Sequence, residues 1–224
     1  MGGKISKIID NAQLVPQQTP LVAHDPKFAV QQSTHLLLSE KGLFETEDFV
    51  IKNIVDNTEW FKLIYKFSLS DKKTLFDMAG EPVANIKNKG YGLRYTLSLF
   101  KGGDSTQLIC KFEFKEVMGG IKANATLQNQ ATNQQVPLNM YGDWYQRRAV
   151  IFIGDPETGG QAIARISKEP AKGILHALTK KKGYMLEIVP GVDIALMVMF
   201  CLATDQFHEH LKAKQKAKDA KNKS

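Results

Sequence analysis

Ile194-Ala195-Leu196-Met197-Val198-Met199-Phe200-Cys201-Leu202-Ala203 carries no polar side chain, so wound as a helix it has no face suited to water and must be enclosed. Met, Leu and Ala favour helix over strand. Asp193 stands where an N-cap belongs, and Pro190-Gly191 supplies the turn before it. The stretch therefore reads as a helix. It is about half the roughly 20 apolar residues a bilayer span requires, and Asp205, His208, Glu209 and His210 soon follow. It is expected in the protein's own core, and the rest of the chain must supply a shell wide enough to wrap it.

The shell is legible upstream. From Leu36 onward the chain falls into short runs separated by turn signals: Leu36–Leu38, Phe49–Asn53, Phe61–Phe67, Lys73–Asp77, Gly80–Ile86, Leu93–Phe100, Leu108–Phe114, Lys122–Leu127, Arg148–Phe152, Ala162–Ile166 and Tyr184–Ile188. Several alternate apolar with polar residues, as strands with one wet face should. A sheet closed on itself removes its own edges and gives the helix its enclosure. An internal echo points the same way. Leu75-Phe76-Asp77 through Gly80 to Ile86 parallels Ile151-Phe152 through Asp155 and Gly159-Gly160 to Ile166, each a hairpin with Asp and Gly in the turn. Asp77 and Asp155 are accordingly read as turn formers, not as a catalytic carboxylate pair.

At 224 residues with 43% hydrophobic content the chain can build one sizeable core. Cys110 and Cys201 fall in expected interior segments with no metal-ligand spacing, which argues against a disulfide framework or zinc site. The start of the chain lacks the apolar region of a secretory signal. The net charge of +7 is unevenly placed. Six lysines against Asp219 give residues 212–224 a charge of +5, Lys4 and Lys7 against Asp10 give residues 1–10 a charge of +1, and about +1 remains for the body. A nearly neutral globule with two basic ends argues against a broad nucleic-acid surface and for electrostatic attachment through the ends.

Met1-Gly2-Gly3-Lys4-Ile5-Ser6-Lys7 satisfies the N-myristoylation pattern, with Gly2 as acceptor. One such chain holds a membrane only marginally, at about 10⁴ M⁻¹, so a second signal is needed. Lys4, Lys7, Lys212, Lys214, Lys216 and Lys218 are the candidates, each contributing about 1 kcal/mol near an anionic leaflet. Residues 1–35, rich in Gln and Pro, are read as a flexible, acylated lead. Residues 36–211 are read as the barrel with its central helix, and 212–224 as a lysine-rich tail, compatible with a helical extension or with disorder.

Together Asp48-Phe49-Val50-Ile51-Lys52-Asn53, the hairpin from Ser68 to Pro82, Gly142-Asp143-Trp144 before Arg147–Ile151, Ala164–Lys168, and Tyr184–Val198 around Pro190-Gly191-Val192-Asp193 resemble the LURP-one-related family. That family is similar in fold to the tubby C-terminal domain and to phospholipid scramblases. The resemblance implies a mainly β protein, a closed antiparallel barrel of about twelve strands around a buried hydrophobic C-terminal helix. It also implies acidic membrane lipids, phosphoinositides among them, as partners. Where scramblases carry an acidic calcium loop, this chain has Leu186 to Asp193 with two separated acids, which argues against calcium-dependent scrambling.

No phosphate-cradling glycine loop or nucleophile elbow is present, so no catalytic residues, cofactor or metal are expected. His24 and His35 are placed in or beside the flexible lead, and His208 and His210 at a solvated, fraying helix end. Converging cations are what a lipid headgroup needs. The candidates are Lys87, Lys89 and Arg94, then Arg147 and Arg148, then Lys180, Lys181 and Lys182. The expectation is a non-enzymatic, monomeric barrel on the cytoplasmic face of a membrane, in first place the plasma membrane, signalling from the cytoplasm when released. The alternatives are a scramblase-like lipid transporter and a soluble transcription-associated regulator.

Overall fold

The computed structural model describes residues 3–39, 49–64, 72–88, 95–144, 146–167 and 183–222. The twelve strands are β1 Thr34–Ser39, β2 Phe49–Lys52, β3 Glu59–Ile64, β4 Lys73–Asp77, β5 Pro82–Asn88, β6 Tyr95–Lys101, β7 Leu108–Val117, β8 Gly120–Asn129, β9 Gln134–Asp143, β10 Arg148–Ile153, β11 Gln161–Ser167 and β12 Gly183–Ile188. They form one antiparallel sheet in the order β1-β12-β11-β10-β9-β8-β7-β6-β5-β4-β3-β2. Its two outer strands meet through a bridge between Leu36 and Asn53 and a hydrogen bond from Ile54 N–H to the His35 carbonyl. The ring is thus a nearly closed barrel.

Alternation along the strands sorts the side chains. In β7 Cys110, Phe112 and Phe114 point inward and are buried, while Lys111 and Lys115 are exposed; in β8 Ile121, Ala123, Ala125 and Leu127 do the same. The echoed hairpins share a local device. β4–β5 and β10–β11 each carry a register shift, between Leu75 and Phe76 and between Ile151 and Phe152. Asp77 accepts from the Ala79 and Glu81 N–H groups, and Asp155 from Glu157 N–H, so both aspartates close turns.

Helix α2, Ile194–Lys221, runs through the middle. Every residue from Ile194 to Asp205 is fully buried, so the apolar stretch is enclosed on all sides, with Phe200 packed on Phe112 at 4.5 Å between ring centroids. Asp193 caps it, accepting from Leu196 N–H at 2.9 Å. Cys110 and Cys201 are free and buried, and burial pushes the Cys110 thiol up to about 12. The last turns, Lys212 to Lys221, extend beyond the barrel as exposed helix. Among the described residues no helix is long and apolar enough to cross a membrane.

The N-terminal segment differs from the flexible lead expected of its composition. Helix α1, Lys4–Asn11, lies on the outside of the barrel, where Ile5 and Ile9 join Tyr141, Val150, Phe152 and Ala162 in a small apolar cluster separate from the main core. The segment from Leu14 to Val30 then crosses the end of the barrel where α2 begins. Leu21 N–H donates to Gly191 O, Asp193 N–H to Leu21 O and Val30 N–H to Val192 O, while Asn129 at the tip of β8 accepts from Val22 N–H. Gly191, at φ +84°, is needed there, because a Cβ would run into the Gln17 carbonyl. Gln and Pro gave the segment a disordered look, but Leu21-Val22-Ala23 and Phe28-Ala29-Val30 are two apolar triplets, all buried.

Candidate functional site

The two ends of the barrel are chemically different. Where α2 starts, Asp193 binds the N-terminal segment as well as capping the helix. Its Oδ2 accepts from the backbone N–H groups of Ala23 and His24, each at 2.9 Å, and lies 3.2 Å from His24 Nδ1. His24 is therefore a core residue, 1% exposed, and not part of a loose lead. Burial alone would raise the Asp193 carboxyl, but His24 and the backbone N–H donors of Leu196 and His24 outweigh it and hold it below its ordinary value.

Where α2 leaves, Asp205 is the organiser. Fully buried, it accepts from Arg147 Nη1 at 2.6 Å, Tyr184 Oη at 2.7 Å and Trp144 Nε1 at 3.0 Å. Burial pushes its carboxyl above the ordinary range, with Arg147 pulling the other way, and burial together with the Asp205 charge raises the Tyr184 phenol. Arg147 adopts left-handed backbone at φ 53°, a cost of about 1–3 kcal/mol that surrounding contacts must hold in place. The next turns of α2 seal the mouth: Phe207 packs on Tyr95 and Phe114, and His210 on Tyr95 at 4.6 Å. His208 is buried, in contrast to the solvated position expected of it, because α2 has not yet cleared the wall.

The same contacts fix which strand ends lie at this exit. They are the end of β5 with Lys87, the start of β6, the β7–β8 hairpin, the β9–β10 connection and the start of β12. Lys87 is exposed there. Arg147 is not available to a headgroup, since it is 8% exposed and committed to Asp205; its place at the start of a strand concealed the inward turn. Arg148 is half-buried and bonds Asp10 of α1. Lys89, Arg94, Lys180, Lys181 and Lys182 lie outside the described residues, as does Gly2. Of the membrane lysines, Lys4 pairs with Glu157 at 2.6 Å and Lys212 with Glu209 at 2.8 Å, while Lys7, Lys214, Lys216 and Lys218 are exposed. The tip of the β7–β8 hairpin presents Met118, 97% exposed. Ile5 would touch a Cβ on Gly120 of that hairpin, so α1 begins beside it.

The exit thus gathers a lysine-bearing helix, Lys87, an exposed apolar hairpin tip and the first turn of α1. Among the described residues no cluster of His, Cys, Asp or Glu could hold a metal ion. Comparison with known proteins gives a consistent picture. The family model LURP-one-related matches residues 34–205. Protein LURP-one-related 15 of Arabidopsis thaliana is 21% identical over 201 residues, covering 86% of this chain and 88% of its own. Protein LURP-one-related 1 of the same plant is 24% identical over 182 residues, 77% of each chain. A protein of Arabidopsis thaliana solved by X-ray crystallography superposes with a TM-score of 0.60 at 19% identity, over 84% of this chain and 99% of its own. That likeness establishes the shared fold.

Proposed function

The chain belongs to the LURP-one-related family, and from that premise we propose that it is a non-enzymatic barrel holding to acidic membrane surfaces by the end from which α2 emerges. The observation that carries the reading is the projection of Lys212, Lys214, Lys216, Lys218 and Lys221 from that end, on a continuous helix that begins in the core. Cations fixed to a folded body present their charge without first paying the ordering cost of a loose tail. Each adds about 1 kcal/mol near an anionic leaflet, screened over roughly 8 Å at physiological salt. Lys87 at the same rim extends the basic surface, and acylation of Gly2 supplies the second signal that stable residence needs.

Sedimentation with vesicles tests this. Full-length protein should pellet with vesicles containing phosphatidylserine or phosphoinositide and not with neutral ones, and should be released by raised salt. Replacing the five lysines by Gln keeps helix propensity and should abolish binding of unacylated protein. Equal binding to neutral and acidic vesicles, or binding to DNA in place of vesicles, would refute it.

A further inference from the structure

Among the described residues four large apolar side chains are exposed: Val15, Val55, Leu108 and Met118. Three of them belong to the end where α2 begins, since Val55 lies in the β2–β3 turn, Leu108 opens β7, and Val15 N–H bonds the carbonyl of Ala162 at the start of β11. Met118 is at the exit, and at 97% exposed it has no packing role. The turn does not ask for an apolar residue there. Val117 pairs with Gly120, leaving Met118 and Gly119 as a two-residue loop, and Gly119 at φ +81° supplies the positive φ that a type II turn needs at its third position. One exposed apolar side chain is ordinary on a protein surface; the charges around this one set it apart. Behind it Lys115 and Lys122 stand directly opposite each other across β7 and β8, and like charges so paired cost stability. Glu157 at 3.6 Å and the Tyr141 ring at 4.2 Å offset part of that for Lys122, whereas Lys115 is exposed. Glu116 is the one acid within two residues of Met118.

We infer that Met118 inserts into the bilayer when the exit meets an acidic leaflet, with Lys115 and Lys122 drawn to the lipid phosphates behind it. The inference rests on the membrane-facing exit proposed above and adds an apolar contact to an electrostatic one. Charge brings the hairpin tip to the surface, and burial of the thioether side chain then holds it there, since taking a Met side chain out of water changes a partition coefficient about tenfold or more. The two contributions respond differently to salt. Raised salt screens the exposed lysines and leaves the inserted side chain where it is, so the tip slows release without deciding which vesicles are chosen.

The test uses full-length unacylated protein and vesicles of phosphatidylcholine with and without phosphatidylserine. Met118→Asn suits a turn and should weaken partition onto the acidic vesicles about tenfold, while Met118→Leu should match the parent chain. Cys110 and Cys201 are free and buried, and burial pushes both thiols up. A cysteine introduced as Met118→Cys is therefore the one that a polarity-sensitive fluorophore labels. Its emission should shift to the blue on acidic vesicles, whereas that of a label at Ala131→Cys, exposed in the opposite turn, should not. Binding that Met118→Asn leaves unchanged, or a label at 118 that stays in water on acidic vesicles, overturns the insertion while the electrostatic reading stands. A parent chain that does not bind acidic vesicles sinks both.

Discussion

Replacing Asp205 by Ala tests the physics of the exit most severely. The substitution takes from the buried Arg147 guanidinium its Asp205 carboxylate and removes the acceptor of Tyr184 Oη and Trp144 Nε1. Breaking a buried ion pair costs about 3–5 kcal/mol, and a hydrogen bond to a charged acceptor contributes about 1.5–3 kcal/mol, with strong coupling inside one network. A loss of about 4–5 kcal/mol follows. At about 2–4 °C per kcal/mol for a chain of this size, the midpoint of thermal unfolding should fall by roughly 10–15 °C. Urea unfolding followed by tryptophan fluorescence measures the change, and Trp144 donates directly to the altered carboxylate. A cycle with Arg147→Ala isolates the pair, and the double variant should be less destabilised than the sum of the singles by more than about 1.5 kcal/mol. A loss below about 1 kcal/mol, or a coupling near zero, would mean that the cluster does not hold α2 in the mouth.

Other outcomes follow from the opposite end. Asp193→Ala removes the cap and strands the Ala23 and His24 N–H groups, so it should cost about 3 kcal/mol and raise hydrogen exchange across residues 21–30. Asp193 titrates below its ordinary value of 3.8 in the folded protein. The unfolded chain therefore binds that proton more tightly, and the stabilisation is complete above about pH 3.8 and lost as pH falls through the lower folded value. Asp193→Asn should flatten the acid limb of the stability–pH curve, measured by urea titration between pH 2 and 5. Gly191→Ala forces a side chain into positive φ and against Gln17. It should cost about 1–3 kcal/mol and loosen residues 14–30 in preference to the barrel, as hydrogen exchange would show.

The enclosed helix and its wall were legible because both depend on residue periodicity. Ile194–Ala203 has no polar face, and most strands alternate. β9 was not legible. Its inward Leu138 and Met140 are interspersed with Gln, Pro137 and Asn139, whose propensities hide the alternation, and pairing with β8 and β10 overrides them. The order of the N-terminal segment is hidden in the sequence because composition averages over its two apolar triplets, and because the partners that order it, Asn129 and Asp193, are more than 100 residues away in sequence. Arg147 carried no local sign of burial, since its partner Asp205 lies 58 residues on. The lysines of α2 were visible as charge, whereas their place on one helix with the buried stretch depends on the helix continuing out of the core.

The most direct measurement of the central claim is hydrogen exchange of the full chain on vesicles of acidic lipid. Protection should gather at the exit, over 95–97, 117–121, 143–148 and 209–221, and leave the opposite turns at 102–107 and 129–134 as they are in solution. Protection at those opposite turns, or none that depends on lipid charge, would contradict the account.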